Sequence, residues 1–512
     1  MRFCSITRVN KRIFTAVFIA ALQFTSIQLR AQSESLSPYS RYGIGDVAYK
    51  GFARNIGMGG IGLGDRSIFE INVVNPASYS ALLLTEFDIA AEATFSKLST
   101  ASLSQKKSGA TFSYFALGFP VVNKKWGAAF GLIPYSSVGY KVSSSVTDPS
   151  PANVSYEGTG GVNRFFIGNA FTIKKNLSAG FNASYLFGSI DRISTIEYTE
   201  PNFFNSRYTT NTIIRDFYFD YGLQYVFDSL NFAKSDSLKE FDKMKKNLTD
   251  SVKVLTKQID SLSGSKDREV TNVKQQIEEL QKNVLELNSR MLQVDSARKN
   301  VKTRRQKSDW SLTTGLTFAT PFNVSASQDQ LTELYQGSGN FIIVRDTVLM
   351  KEGDKGNIKL PLTVGFGIAF KKGSKWLIGA DASIQNWQDY SYFGLKDSLH
   401  NSLKLATGFQ FTPDDRGIKS YWQMVQYRFG AFYNKTYLQL RSTQLNEYGL
   451  TAGLGLPVMA RKGKRFSFST VHLSAALGTR GTTDNSLIKE DFVRVSIGVT
   501  FNDRWFIKPK FD

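Results

Sequence analysis

The chain is poor in the side chains that most site chemistry requires. Its 512 residues include one cysteine, Cys4, two histidines, His400 and His472, and twelve prolines. A lone cysteine excludes an intrachain disulfide. Zinc, iron-sulfur and haem centres are excluded as well, because their usual ligand sets need several Cys or His side chains close together. Beyond residue 31 no stretch approaches the ~18 consecutive apolar residues of a membrane-spanning helix. Glycine follows no period of three, and aromatics make up 13% of the chain, so neither a collagen-like nor a disordered chain fits.

Basic residues are what the chain has in excess, 63 Lys and Arg against 43 Asp and Glu, a net charge of +20. Part of that charge belongs to a predicted export signal over residues 1–31. Arg2, Arg8, Lys11 and Arg12 form its basic start, Ile13 to Ile27 its apolar core, and Ala31-Gln32 its cleavage point. Removing it takes away five basic residues, no acidic ones and Cys4, leaving +15. An exported chain without a helical span is either a soluble periplasmic protein or an outer-membrane barrel.

The strand pattern decides for the barrel. Val493, Val495, Ile497, Val499 and Phe501 share one face of a segment whose other face carries Arg494, Ser496, Gly498, Thr500 and Asn502. The same period of two sets Phe217, Phe219, Tyr221, Leu223, Tyr225 and Phe227 against Asp216, Tyr218, Asp220, Gly222 and Gln224. The polar faces are rich in Gly, Ser, Thr and Asn. Short basic turns such as 122–125, 174–176 and 371–375 alternate with longer polar connections at 142–161, 194–211 and 325–357, the asymmetry of an outer-membrane barrel. The predicted fold is an all-β transmembrane barrel of about 14 antiparallel strands. Strands one to six lie within 85–228 and seven to fourteen within 309–512.

Residues 229–308 break this pattern. Leu248, Val252, Leu255 and Ile259, then Ile277, Leu280, Val284 and Leu287, recur at steps of three and four on either side of Ser263-Gly264-Ser265. They predict the seam of an antiparallel coiled-coil hairpin. Joining strand six to strand seven, the hairpin belongs on the periplasmic side, where residues 236–307 offer faces to a periplasmic protein. Its basic end, Arg298 to Lys307, suits the phosphates of outer-membrane lipid.

Residues 32–84 precede the barrel as a predicted N-terminal plug or hatch, with Gly57-Met58-Gly59-Gly60-Ile61-Gly62 followed by Asn75-Pro76-Ala77. Gly-rich segments permit close backbone approach, and Asn-Pro favours a turn. GMGGIG is not a dinucleotide fingerprint, since it has no strand-turn-helix setting. The Met-Gly-Gly segment ahead of Asn-Pro-Ala and a first strand resembles the FadL/TodX family of outer-membrane transporters. Leu360-Pro361-Leu362-Thr363-Val364-Gly365, Trp387 and Asn502-Asp503-Arg504-Trp505-Phe506 resemble its Bacteroidota branch. The resemblance implies passive uptake of a hydrophobic compound, a fatty acid or aromatic hydrocarbon, past a hatch at Gly57, Met58, Gly59, Gly60, Asn75, Pro76 and Ala77. The coiled coil departs from that family's basic pattern.

Catalysis is not expected. His472 falls on the lumen face with Thr470 and Ser474, as does Arg494 on its own strand, and neighbours or water satisfy a histidine there. His400 sits in a polar loop. No cofactor is implied, and the scattered basic residues form no nucleic-acid motif. Two functions follow: hydrophobic-compound uptake, or a scaffold or accessory subunit of an outer-membrane assembly or secretion complex that docks periplasmic proteins through the coiled coil.

Overall fold

The computed structural model describes residues 37–148, 150–200, 202–227, 310–338, 341–414, 420–462 and 465–503, with nine isolated positions between 250 and 286. The chain divides into two compact units, Met1–Phe227 with Ser311–Asp512, and Asp228–Trp310. The second unit includes the predicted coiled-coil seam. Leu248, Val252, Leu255, Ile259, Ile277, Leu280, Val284 and Leu287 lie outside the described residues, as does the predicted signal over 1–31.

The first unit is a closed antiparallel barrel of 14 strands. In chain order they are β1 (Thr85–Ser99), β2 (Ser104–Val122), β3 (Trp126–Val146), β4 (Ala152–Lys174), β5 (Leu177–Tyr198) and β6 (Asn205–Phe227). β7 is Trp310–Ala319 continued by Phe322–Ser338, and β8 is Phe341–Leu360 continued by Leu362–Lys372. There follow β9 (Trp376–Asn386), β10 (Ser402–Phe411), β11 (Gln426–Leu440), β12 (Thr443–Lys462), β13 (Arg465–Arg480) and β14 (Lys489–Asp503). β14 closes the ring on β1, from Lys489↔Ser99 to Asp503↔Thr85. β7 and β8 are each interrupted at a proline, Pro321 and Pro361, because proline brings no N–H to the ladder. The ladder resumes beyond each break, so β6 pairs with both parts of β7.

Period-two patterning sorts side chains between two environments. Along β6, Phe217, Tyr221, Leu223, Tyr225 and Phe227 are exposed, while Tyr218, Asp220 and Gln224 are buried. Large apolar side chains on the exposed face recur around the ring, Phe165 and Ile167 on β4, Phe366 on β8, Phe409 on β10 and Phe429 on β11 among them. This inverts a soluble protein and is what a barrel standing in hydrocarbon requires.

The longer polar connections expected at 142–161, 194–211 and 325–357 are strand for most of their length. β3 reaches Val146 and β4 starts at Ala152, β5 and β6 meet across Thr199–Phe204, and β7 and β8 are separated only by 339–340. Backbone pairing continues where the side chains have lost their apolar face, so hydropathy falls silent while the hydrogen-bond ladder goes on. The asymmetry between the two ends lies in strand extension more than in loop length.

β2 and β3 lose their pairing part-way along. They match only from Phe115↔Leu132 to Val122↔Trp126, and beyond that they diverge. The exposed edge of β3 is met by Asp46–Val47, paired with Ser137 and Ser136, and by the Ala48 N–H donating to Tyr135 O at 3.0 Å.

Candidate functional site: the N-terminal segment against the barrel wall

Residues 37–82 form short turns, Pro38–Arg41 and Pro76–Ala81 among them, with one helical turn at Ala53–Ile56. Proline at the start of the first two turns costs no hydrogen bond, and Asn75 caps the second by accepting from the Ala77 N–H at 3.1 Å. The segment's contacts fall on the inward faces of strands around the ring. Tyr114 on β2 bonds on both sides: its hydroxyl accepts from the Ala53 N–H at 3.0 Å and donates to Asp88 at 3.3 Å, while its ring stacks on Phe52 at 3.9 Å. Asp381 on β9 accepts from the Gly62 and Leu63 N–H groups at 2.6 and 2.8 Å. Thr451 on β12 accepts from Gly59 N–H at 2.7 Å, and Ser474 on β13 donates to Ala53 O at 2.6 Å.

Inward-facing glycines make this approach possible. A side chain on Gly127 would strike Tyr79 O, one on Gly222 would strike Asn75 Oδ1, and one on Gly315 would strike Leu63 O. On the far side of the ring, Gly408 and Gly430 lie against the Met58–Gly59 backbone, and Gly453 against Gly57. The segment reciprocates with Gly59 and Gly60, at φ +69° and +87°, where other residues would be strained. The glycines that the sequence offers as the small, polar face of each strand are seats for another backbone.

Buried ionic clusters fasten the segment. Arg54 bridges Asp65 at 2.5 Å and Glu70 at 2.8 Å, and Lys371 on β8 reaches Asp65 at 2.8 Å. On the β4–β6 side, Asp220 takes Lys50 at 2.5 Å and Arg164 at 3.0 Å, and accepts from Asn182 at 2.9 Å. Tyr79 donates to Asn182 Oδ1 at 3.1 Å, so segment and wall share one network. Burial pushes the Lys50 ammonium down to about 8 against the pull of Asp220. Burial alone would raise the Asp65 carboxyl, but Arg54 and Lys371 outweigh it and hold it well below the usual carboxylate range.

The sign of that shift gives a pH dependence. A carboxylate depressed in the folded state stabilises it above the unfolded pKa of ~3.9, and the contribution is lost as pH falls below that value toward the folded one. Melting temperature followed from pH 5 to pH 2 is expected to fall, and to fall less steeply in Asp65→Asn, which lacks the contribution at every pH.

The seven residues expected at a hatch separate into two groups. Gly57, Met58, Gly59 and Gly60 meet β10 to β13 and Tyr49, whereas Asn75, Pro76 and Ala77 meet β5 to β7. His472 is buried at 1% exposure but pairs with neither Ser474 nor Thr470. Its Nδ1 lies 2.9 Å from Arg428 Nη1, which can only donate, so the proton sits on Nε2 and is given to Thr500 at 3.0 Å. Thr500 in turn donates to Asp88 at 3.1 Å. With its acceptor occupied by a guanidinium, His472 is a structural link and no general base. Arg494 pairs with Glu447 at 3.2 Å, and the His400 N–H donates to Tyr437 O at 2.9 Å. Arg54, Asp65, Lys50, Arg164 and Asp220 were not singled out by the sequence. Asp220 carried a signal, as a charge on the polar face of the most aromatic strand.

A closed antiparallel barrel with an apolar exterior and a polar interior that receives its own N-terminal segment defines an outer-membrane β-barrel. Within that class, the chain belongs to the BamG family, whose model matches residues 11–299 and 267–512. None of the curated proteins compared matches it. Among solved structures it is similar to the Pseudomonas putida toluene transporter TodX, at 12% identity over 90% of this chain and 100% of that one, with a TM-score of 0.49. The Ralstonia pickettii toluene transporter TbuX matches at 10% identity over 89% and 99%, TM-score 0.49. A Pseudomonas aeruginosa FadL homologue matches at 9% identity over 89% and 98%, TM-score 0.46.

Proposed function

We propose that the chain is a scaffold or accessory subunit of an outer-membrane assembly or secretion complex. The barrel is its anchor, residues 37–84 are a fixed plug, and residues 236–307 dock a periplasmic protein. The observation that carries this reading is the seating of the segment backbone on inward glycines at both sides of the ring, fastened by buried ion pairs. A lumen filled this way serves rigidity better than passage. The separate compact unit at Asp228–Trp310, which barrel closure does not need, supports it too, together with the heptad spacing within it. Crosslinking the full chain in cells is expected to capture a periplasmic protein, and deletion of 236–307 to lose it while the barrel still migrates as a compact, heat-modifiable band. Recovery of no partner by the intact chain sinks the proposal.

One observation favours a second reading, passive uptake of hydrophobic compounds. Beside the divergence of β2 from β3, the lumen holds an apolar cluster that includes Val138, Tyr140, Trp387, Tyr390 and Tyr437. On this reading Gly57 to Gly60 and Asn75 to Ala77 are a hatch whose shift opens a lateral route for a fatty acid or aromatic hydrocarbon. A deletion strain is then expected to take up labelled oleate or toluene more slowly than its parent; equal rates for both compounds reject it.

A further inference from the structure

Four strands that meet where the ring closes carry on their outer face a feature that neither reading uses. The pairings line up in rungs. Leu477, Val493, Phe95 and Ser108 form one rung across β13, β14, β1 and β2. Two residues toward the Ser99–Ser104 turn, the next outward-facing rung is Thr479, Asp491, Lys97 and Lys106. Two residues the other way it is Ala475, Val495, Ala93 and Ala110. A cationic rung, an apolar rung and a rung of small side chains therefore follow one another down the barrel wall.

The small rung leaves a trough, and the charged rung closes a cavity of about 570 Å³ over Phe95, Leu477 and Val493. Phe95 and Leu477 are 44% and 57% exposed, so the floor is open to an apolar chain. The charge at its mouth is unbalanced. Asp491, opposite Lys97, is held by Lys489 at 3.1 Å, and among the described residues no carboxylate lies within ion-pair distance of Lys97 or Lys106. The Ser99–Ser104 turn lies at the same end of the barrel as the extended β3–β4, β5–β6 and β7–β8 hairpins, which is the external end in such barrels.

We propose that this surface binds one phosphorylated lipid of the outer leaflet, its headgroup between Lys97 and Lys106 and an acyl chain along the trough over Phe95 and Ala93. The charge calls for an anion, the trough for a chain, and their order along the strand matches the order of headgroup and tail in a leaflet.

Native mass spectrometry of the full detergent-extracted chain tests it, with dimyristoyl phosphatidylglycerol as the anionic probe and dimyristoyl phosphatidylcholine as the zwitterionic one. The wild-type chain is expected to retain one phosphatidylglycerol under activation that strips phosphatidylcholine. Lys97→Glu with Lys106→Glu is expected to lower that retention at least about tenfold. Ala93→Trp, which fills the trough and leaves the lysines in place, is expected to lower it as well. Heat-modifiable migration reports whether each variant is folded, and the Lys→Gln double replaces the reversal should that fail to assemble. Equal retention of the two lipids by the wild-type chain overturns the proposal, and so does unchanged phosphatidylglycerol retention in the charge variant.

Discussion

Gly315→Leu is expected to prevent the barrel from closing around its N-terminal segment. The substitution places a branched side chain where Leu63 O now lies, and the Asn75 Nδ2 that binds that same oxygen at 2.9 Å stands beside it. Overpacking an ordinary core costs ~1–3 kcal/mol because neighbouring side chains shift to make room. Here the neighbour is a backbone carbonyl fixed by Asn75 and Gln224, so no rotamer change relieves the clash and the cost exceeds that range. Two measurements report the outcome. Heat-modifiable migration reads whether the barrel forms, and limited proteolysis reads whether residues 37–84 stay protected. Loss of protection, with or without loss of the barrel, is the expected result. Leu316→Ala, one residue along on the lipid-facing side, is expected to leave both readouts unchanged. A Gly315→Leu chain that assembles with its segment fully protected contradicts the seating of Leu63 on this wall.

The glycines also show where the sequence stops being legible. The outward face of each strand announces itself, since Phe217, Tyr221 and Leu223 at alternate positions can only face hydrocarbon or a core. Fourteen strands, their order and their faces could be read from that signal. An inward glycine gives no comparable signal. Gly222 and Gly315 look like the small polar side of a wet strand, and their role exists only once Asn75 and Leu63 have been brought against them from more than a hundred residues away. The extended hairpins were hidden for a related reason. Beyond the apolar band, as at Ser143 to Val146, no face is greasy, and backbone pairing alone carries the strand. His472 is buried, and its partner Arg428 comes from another hairpin, so no local spacing links the two.

Asp220→Ala is expected to be nearly as damaging, by electrostatics instead of sterics. The aspartate is 5% exposed and stands between Lys50 from the segment and Arg164 from the wall, itself 3% exposed. Both cations depend on it for a counter-charge, and Asn182 and Tyr79 are aligned through it. Removing one partner of a buried ion pair costs ~3–5 kcal/mol, because the remaining charge stays buried without compensation. In Asp220→Ala two cations are left without their counter-charge, Arg164 and Lys50. The segment should therefore release its Lys50 end first. The variant is expected to lose protease protection near residue 50 at lower denaturant than the parent, while Gly57 to Gly60 remain seated through Thr451 and Ser474. A double-mutant cycle separates charge from packing. Lys50→Met combined with Asp220→Ala is expected to be less damaging than the sum of the two changes, by the ~0.5–3 kcal/mol typical of residues in one network. Strict additivity would mean that Lys50 and Asp220 do not act on one another, and that the segment is held on this side by backbone seating alone.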